Sequence, residues 1–93
     1  MATISYDPAK RQATLKKRGV DFNDATVVFE GLAYEWLDDR VDYGETRIVS
    51  AGWLNGRMMI VVWTPRGETR HVISMRKANA RERAKIGKRL EAH

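Results

Sequence analysis

The side chains of this chain that could act chemically are mostly cations, and they are concentrated in its second half. Residues 46–93 carry eleven basic and three acidic groups, whereas residues 1–45 carry six basic and nine acidic groups. The cations that lie on or between predicted strands are Arg47, Arg57, Arg66, Arg70, Arg76 and Lys77. Arginine grips phosphate through paired N–H donors, so nucleic acid is the leading partner for this half. The alternative is a solvated basic surface that discourages strands from pairing at an edge.

Two further groups of residues could contribute to such a site. His71 is suited to proton transfer, because imidazole titrates near neutral pH. A strand histidine beside Ile73 is also commonly a hydrogen-bonded structural residue, so both interpretations stay open. Lys10, Thr14 and Lys17 fall four and then three residues apart, which places them on one face of a predicted first helix. That face could contact RNA or an acidic partner, or could simply be solvated.

Several classes of chemistry are excluded or disfavoured by the sequence. The chain has no cysteine, which excludes a disulfide scaffold and a thiolate zinc site. It has no P-loop, GxGxxG, HExxH or GxSxG motif. An acidic cluster could bind a hard cation, but its spacing is not that of a calcium loop and a solvated turn is the simpler interpretation; its members are Asp38, Asp39, Asp42 and Glu45.

No stretch of the sequence predicts a membrane segment or a signal peptide. The longest apolar run spans residues 58–63, far short of the roughly 20 residues that cross a bilayer. The first ten residues lack the apolar stretch of a secretory signal. The sequence therefore predicts a cytoplasmic protein without a membrane partner.

The elements that must position these residues predict an α+β fold in one domain spanning residues 1–93. Asp7 and Pro8 are typical of a helix start, and Gly19 of a helix end. Asn55-Gly56 is a strong hairpin signal within an antiparallel three-stranded meander over about residues 46–76. Edge strands are predicted near residues 3–6 and 32–37, and a basic helix over about residues 79–91. That last helix has few apolar residues, so we expect it to bury little.

Strand alternation predicts which side chains of the last strand lie together. Because successive strand residues point to opposite faces, Arg70 and Arg76 are expected on one face with Val72 and Ser74. The opposite face then carries His71 with Ile73 and Met75. The first face is the more polar, so it is predicted to line an open groove.

Five segments of the sequence resemble the BrnT toxins, which are small toxin components of bacterial type II toxin–antitoxin systems. They are YDPAK at residues 6–10, KRGVDF at 17–22, TPRG at 64–67, HVISMRKAN at 71–79 and RE at 81–82. The resemblance covers about residues 4–84. The sequence departs from the family pattern at Tyr6, where Trp is common, and at Arg18, where His is frequent. It also departs at His71, where many members have Arg, and at Ile86, where Tyr is often found.

The resemblance implies a RelE-like fold, with two N-terminal helices packed on an antiparallel sheet and a basic C-terminal helix. It implies a metal-independent endoribonuclease without a cofactor, in which the 2′-hydroxyl attacks the adjacent phosphate. The implied partners are an RNA substrate and a cognate ribbon-helix-helix antitoxin of the BrnA type, through which alone the toxin reaches DNA. Two alternatives are a non-catalytic nucleic-acid-binding or regulatory module and a toxin of the same superfamily that acts on a topoisomerase.

Residue chemistry then suggests a role for each matched position. The predicted catalytic residues are Glu45, Arg66, His71 and Arg76, and the predicted RNA-binding residues are Lys10, Lys17, Arg47 and Arg70. Arginine stays protonated, so the arginines can only stabilise or position charge. His71 is the preferred acid, and Glu45 or a lysine the candidate base.

Overall fold

The computed structural model describes residues 3–40, 42 and 44–91. Its elements are β1 (Thr3–Tyr6), α1 (Pro8–Arg18), a 3-10 helix (Phe22–Asp24), α2 (Ala25–Glu30), β2 (Ala33–Leu37), β3 (Ile48–Leu54), β4 (Arg57–Arg66), β5 (Thr69–Lys77) and α3 (Ala80–Glu91). This confirms the predicted α+β class, the meander and the basic C-terminal helix. The assignment to the RelE-like class stays a prediction.

The strands form one five-stranded sheet in the order β1-β5-β4-β3-β2. β2 to β5 pair antiparallel, but β1 pairs parallel with β5. The prediction of an antiparallel sheet is therefore wrong at one edge. The connection through α1 and α2 carries the chain from the β1 edge of the sheet to the β2 edge. The antiparallel strands β2 to β5 then lead back across the sheet, so that β5 lies beside β1 and runs in the same direction.

Both ends of α1 follow from the local sequence. The carboxylate of Asp7 accepts a hydrogen bond from the backbone N–H of Ala9 at 2.9 Å, and Pro8 occupies the first helical position, where its missing N–H costs nothing. At the other end Gly19 is left-handed, with φ of 67°, and its N–H donates to the carbonyl of Leu15. These caps confirm the predicted helix over residues 8–18.

One face of the sheet, here called the α2 face, carries the larger apolar cluster. Phe22 and Val28, from the 3-10 helix and α2, are fully buried against Val61 and other side chains of the central strands. Gly52 lets α2 approach β3 closely, because a Cβ there would lie 3.0 Å from Cγ1 of Val28. The α2 face is thus closed to solvent over most of its centre.

The opposite face, here called the α3 face, is covered at one end by α3. Ile86 and Leu90 are only 6% and 4% exposed and pack with Met58 and Ile60. The expectation that this helix buries little is therefore wrong. Two large apolar residues four positions apart are enough to attach α3 to the sheet, because the strand residues beneath them are also apolar. Each fully buried side chain of this kind contributes about 1.5–3 kcal/mol to the stability of the fold.

A β-bulge in the last hairpin changes which residues of β5 share a face. Val62 pairs with Ser74, but the next residue, Trp63, pairs with Val72, so Ile73 is inserted without its own partner. An inserted residue shifts the alternation by one position. The prediction that Arg70 and Arg76 share a face is therefore wrong. Arg70 lies on the α2 face, whereas Arg76 lies on the α3 face. His71 also lies on the α3 face, because it pairs with Thr64.

Candidate nucleic-acid interface

The part of the α3 face that α3 leaves uncovered forms a groove of about 420 Å³. Its floor is formed by β4 and β5, one wall by α1, and the other by Asp38, Arg40 and Arg47, which lie between β2 and β3 in the sequence. We call it the cationic groove; it is lined by Lys10, Ala13, Thr14, Lys17, Arg18, Asp38, Arg40, Arg47, Val62, Ile73 and Ser74. Five of these side chains are cationic and one is acidic, so the groove favours an anion.

Three predicted RNA-binding residues come together in this groove. Lys10 and Lys17 project from α1, as the helical spacing predicted, and Arg47 faces them from the start of β3. The one acidic residue of the lining, Asp38, accepts two hydrogen bonds from Arg40 at 2.8 and 3.0 Å. That pairing offsets the charge of the Asp38 carboxylate, so the groove keeps an excess of positive charge.

His71 lies beyond the end of the groove where β1 pairs with β5. Its Nδ1 lies 2.9 Å from Oγ of Ser5, the residue directly beside it on the parallel strand. Ser5 was not singled out from the sequence, because no local pattern indicates that residues 66 positions apart sit side by side. Only the parallel pairing of β1 with β5 creates this contact.

The surroundings of His71 lower its pKa below the ordinary value of 6.5. Burial is the largest cause, followed by the positive charge of Arg66; Lys10 acts in the same direction, and the negative charge of Glu45 acts against both. The charges of Arg66 and Glu45, two of the other predicted catalytic residues, thus act on the ring in opposite directions. Burial and the neighbouring cations therefore favour the neutral form of the imidazole.

Glu45 is tied to the groove through an arginine. Its carboxylate lies 3.5 Å from Nε of Arg47. Because Arg47 also lines the cationic groove, this ion pair connects the groove to the group around His71. The same contact offsets the charge of Glu45, which would otherwise repel a phosphate.

The structure does not bring Arg70 to this group. Its guanidinium stacks 4.5 Å from the ring centre of Phe29 and 4.8 Å from that of Trp63. Both rings belong to the α2 face, and they lie edge to face with a centroid separation of 5.7 Å. Arg70 therefore closes one end of the larger apolar cluster, on the side of the sheet away from His71.

Arg76 lies on the same face as His71 but is engaged by α3. Two of its nitrogens donate to the carboxylate of Glu82, each at 2.8 Å. The pair lowers the pKa of Glu82 to about 2 and raises that of Arg76. Glu82 also forms a capping box with Asn79. Arg76 therefore anchors the start of α3.

The four members of the acidic cluster considered for a cation line one shallow cleft together with Arg47. Asp38 is paired with Arg40, and Glu45 lies beside Arg47. Among the residues that the structure describes, no group of three or more histidine, aspartate or glutamate side chains is arranged to hold a metal ion.

In the described part of the chain, no helix is long and apolar enough to cross a membrane.

Comparison with known proteins identifies a family for most of this chain. Residues 6–82 match the family described as the ribonuclease toxin, BrnT, of type II toxin-antitoxin system. The match includes α1, every strand of the meander and the capping box of α3, but only the last residue of β1. It therefore covers both the cationic groove and His71. No curated protein matches the chain significantly.

Proposed function

The chain belongs to the BrnT family of ribonuclease toxins of type II toxin–antitoxin systems, and we propose that it cleaves RNA at the junction of His71 and the cationic groove. The observation that carries the proposal is the position of His71, held by Ser5 through Nδ1, on the same sheet face as the cationic groove. Lys10 both lines the groove and affects the pKa of His71, so a backbone phosphate held in the groove lies next to the proton acceptor.

In the proposed reaction, the RNA backbone enters along α1. Lys10, Lys17 and Arg47 hold consecutive phosphates through charge-assisted hydrogen bonds. Arg66 faces the phosphate that reacts and stabilises the charge that builds on its oxygens. Lys17, Arg47 and Arg66 thus position the strand and stabilise charge, and none of them accepts a proton in the reaction.

His71 acts as the base in this proposal rather than as the acid that the sequence suggested. The proposed tautomer carries its proton on Nδ1, which donates to Oγ of Ser5, so that Nε2 is unprotonated. Nε2 takes the proton of the 2′-hydroxyl as the 2′-oxygen bonds to phosphorus. The bond from phosphorus to the 5′-oxygen breaks, and that oxygen leaves with a proton from the Lys10 ammonium. The products are a 2′,3′-cyclic phosphate and a 5′-hydroxyl end, and no metal ion takes part.

Membership in a type II system implies a cognate antitoxin, and we propose that a ribbon-helix-helix protein neutralises this toxin and is its only route to DNA. Induced expression without that protein should arrest growth and shorten cellular RNA. Co-expression with the protein encoded beside this gene should restore growth. Neither result depends on how the cleavage chemistry works.

The test of the chemistry uses purified protein, a short labelled RNA and an excess of EDTA. We expect cleavage to persist in EDTA and to leave cyclic phosphate ends. His71→Gln should slow cleavage by roughly 10²–10⁴, whereas the matched control His93→Gln, which changes the other histidine, should retain the rate. Cleavage that stops on chelation would contradict the metal-free mechanism. Tight RNA binding with intact RNA would identify a non-catalytic binding module instead.

A further inference from the structure

The outer edge of β2 has the features of a docking site for an extended chain. β2 is the last strand of the sheet order, and no other described strand pairs with its outer side. The N–H of Asp38 donates to the carbonyl of Arg47 at 2.9 Å, which continues the ladder between β2 and β3 by one hydrogen-bonded pair. Such pairs alternate along an antiparallel ladder. The backbone groups of Tyr34 and Trp36 therefore face β3, and those of Ala33, Glu35 and Leu37 face outward.

The side chains at this edge are unusually apolar for an exposed strand. Leu32, Trp36 and Leu37 are 51%, 36% and 64% exposed. Solvent-facing edge strands are commonly protected by lysine, proline or a bulge. β2 has no lysine and no proline, and its register with β3 is continuous. It thus presents free hydrogen-bonding groups flanked by apolar side chains.

A row of cations runs beside this edge on the α3 face. Arg81, Lys85 and Arg89 lie four residues apart along α3, and together with Tyr34 and Trp36 they line a cleft of about 390 Å³. The guanidinium of Arg89 stacks 5.0 Å from the ring centre of Tyr34. The one acidic residue of the cleft, Glu82, is paired with Arg76. We call Arg81, Lys85 and Arg89 the α3 basic row.

We propose that the antitoxin binds here, as an extended segment that adds a sixth strand beside β2 and directs acidic side chains at the α3 basic row. Side chains that alternate along the added strand would meet the basic row on one face and Leu37 on the other. The occupant is therefore a segment in which acidic and apolar residues alternate. This inference rests on the proposed function only in naming the antitoxin as the partner.

Charge argues against the two other occupants. A second copy of this chain, paired antiparallel through β2, would continue the sheet with both α3 helices on the same face. Two α3 basic rows would then meet across the new edge, and like charges in that position repel. RNA would match the cations but would leave the outward N–H and C=O groups and Leu37 without suitable partners.

Amide hydrogen exchange by NMR tests the proposal residue by residue. The samples are this chain alone and its complex with the antitoxin encoded beside its gene, co-expressed and purified. We expect exchange to slow by at least about tenfold at Ala33, Glu35 and Leu37, with smaller changes at Tyr34 and Trp36, which already bond to β3. Protection confined to the cationic groove would overturn the proposal. Protection of the β2 edge that grows with the concentration of the free chain would overturn it in favour of a second copy.

Two substitutions test the same surface by affinity. Lys85→Glu should weaken antitoxin binding about tenfold, since close charge pairs across an interface control affinity and association rate. Its matched control is Lys16→Glu on the exposed side of α1, which changes the net charge equally and should have little effect. Ala33→Pro removes one outward N–H, which an edge strand tolerates, and should weaken binding in the same direction. Equal loss in Lys85→Glu and Lys16→Glu would overturn the proposal.

RNA cleavage by the free protein separates this inference from the proposed function. Lys85 and Ala33 lie outside the cationic groove, so their variants should cleave RNA at the parent rate. If the unmodified chain does not cleave RNA but the β2 edge is protected in the complex, the proposed function fails and the docking site stands. If the chain cleaves RNA and the edge stays unprotected in the complex, only the docking site fails.

Discussion

At the scale of single residues, the proposed reaction depends most on the hydrogen bond between Ser5 and His71, the proposed base. The hydrogen bond at Nδ1 decides which ring nitrogen is free. When the imidazole donates to Oγ of Ser5, Nε2 is the acceptor and can take a proton from a hydroxyl. In the proposed mechanism, Ser5 is therefore a positioning residue for His71.

The lowered pKa of His71 predicts the direction of the pH dependence. A base must be unprotonated, so kcat/KM should be constant above the ordinary histidine value of 6.5 and fall only at lower pH. A general acid would give the opposite result, with activity lost as the pH rises. A pH profile of RNA cleavage from pH 4.5 to 8.5 distinguishes the two roles.

Replacing Ser5 should change the profile as well as the rate. Ser5→Ala removes the partner of Nδ1, so we expect kcat to fall by about 10-fold with little change in KM. Ser5→Thr keeps the hydroxyl and should recover most of the rate. The ¹⁵N shifts of the His71 ring should report a mixture of tautomers in Ser5→Ala. An unchanged tautomer and rate in Ser5→Ala would contradict the positioning role.

Arg70 provides a contrasting prediction, because its contacts are with aromatic rings. Arg70→Met keeps the apolar stem but removes the cation stacked on Phe29 and Trp63. The expected cost is about 1 kcal/mol of unfolding free energy, measured by urea denaturation, with RNA affinity nearly unchanged. The matched control is Lys17→Met, which should weaken RNA binding and leave stability nearly unchanged. The reverse pattern would return Arg70 to the RNA-binding set.

At the scale of elements, the attachment of α3 depends on one charged group at its start. Glu82 joins the capping box and binds Arg76, and these contacts hold its pKa near 2 against the usual 4.5. A carboxylate with a lowered pKa stabilises the folded state above its unfolded pKa. The contribution is therefore complete above about pH 4.5 and is lost as the pH falls towards 2.

Glu82→Gln should isolate this contribution, because glutamine can still close the capping box. We expect a loss of about 1 kcal/mol at pH 7, since the side chain is 24% exposed and solvent screens part of the interaction. The difference from the parent protein should vanish near pH 2. The control Glu68→Gln removes a carboxylate from the exposed turn between β4 and β5. It should leave the free energy of unfolding unchanged both at pH 7 and near pH 2. A pH-independent difference in Glu82→Gln would point to packing rather than charge.

Elements with local signals could be predicted from the sequence, whereas relations between distant elements could not. The caps of α1 and the Asn55-Gly56 hairpin each depend on a few adjacent residues, and both formed as expected. The bulge at Ile73 left no comparable signal, because it is a property of the pairing between two strands. It moved Arg70 to the opposite face from Arg76. The contact between Ser5 and His71 could likewise not be predicted, because it depends on the pairing of β1 with β5.

At the scale of the whole molecule, the uneven charge of the sequence becomes a charged surface with two distinct parts. The cationic groove draws on both halves of the chain, since α1 supplies Lys10 and Lys17 and the second half supplies Arg47. The α3 basic row lies on the other side of the same sheet face, beside β2. The excess of cations that gives the chain its net charge of +5 thus forms two separate surfaces. We propose that one binds RNA in the groove and the other binds an acidic protein segment at the β2 edge.

The two surfaces should respond differently to substitution in salt titrations of RNA binding. Each phosphate neutralised on a single strand contributes about 0.7 to the slope of log K against log salt. Three groove cations, Lys10, Lys17 and Arg47, predict a slope of about −2 for a short RNA. Lys17→Met should reduce the magnitude of that slope by about 0.7. Lys85→Met removes the same charge from the α3 basic row and should leave the slope unchanged.

Fluorescence anisotropy between 50 and 300 mM salt measures RNA binding by the parent, Lys17→Met and Lys85→Met under the same conditions, with His71→Gln present in all three proteins to block cleavage. Equal slopes in Lys17→Met and the parent would place the RNA outside the groove. A reduced slope in Lys85→Met would mean that RNA extends over α3, and the antitoxin would then compete with RNA by direct overlap.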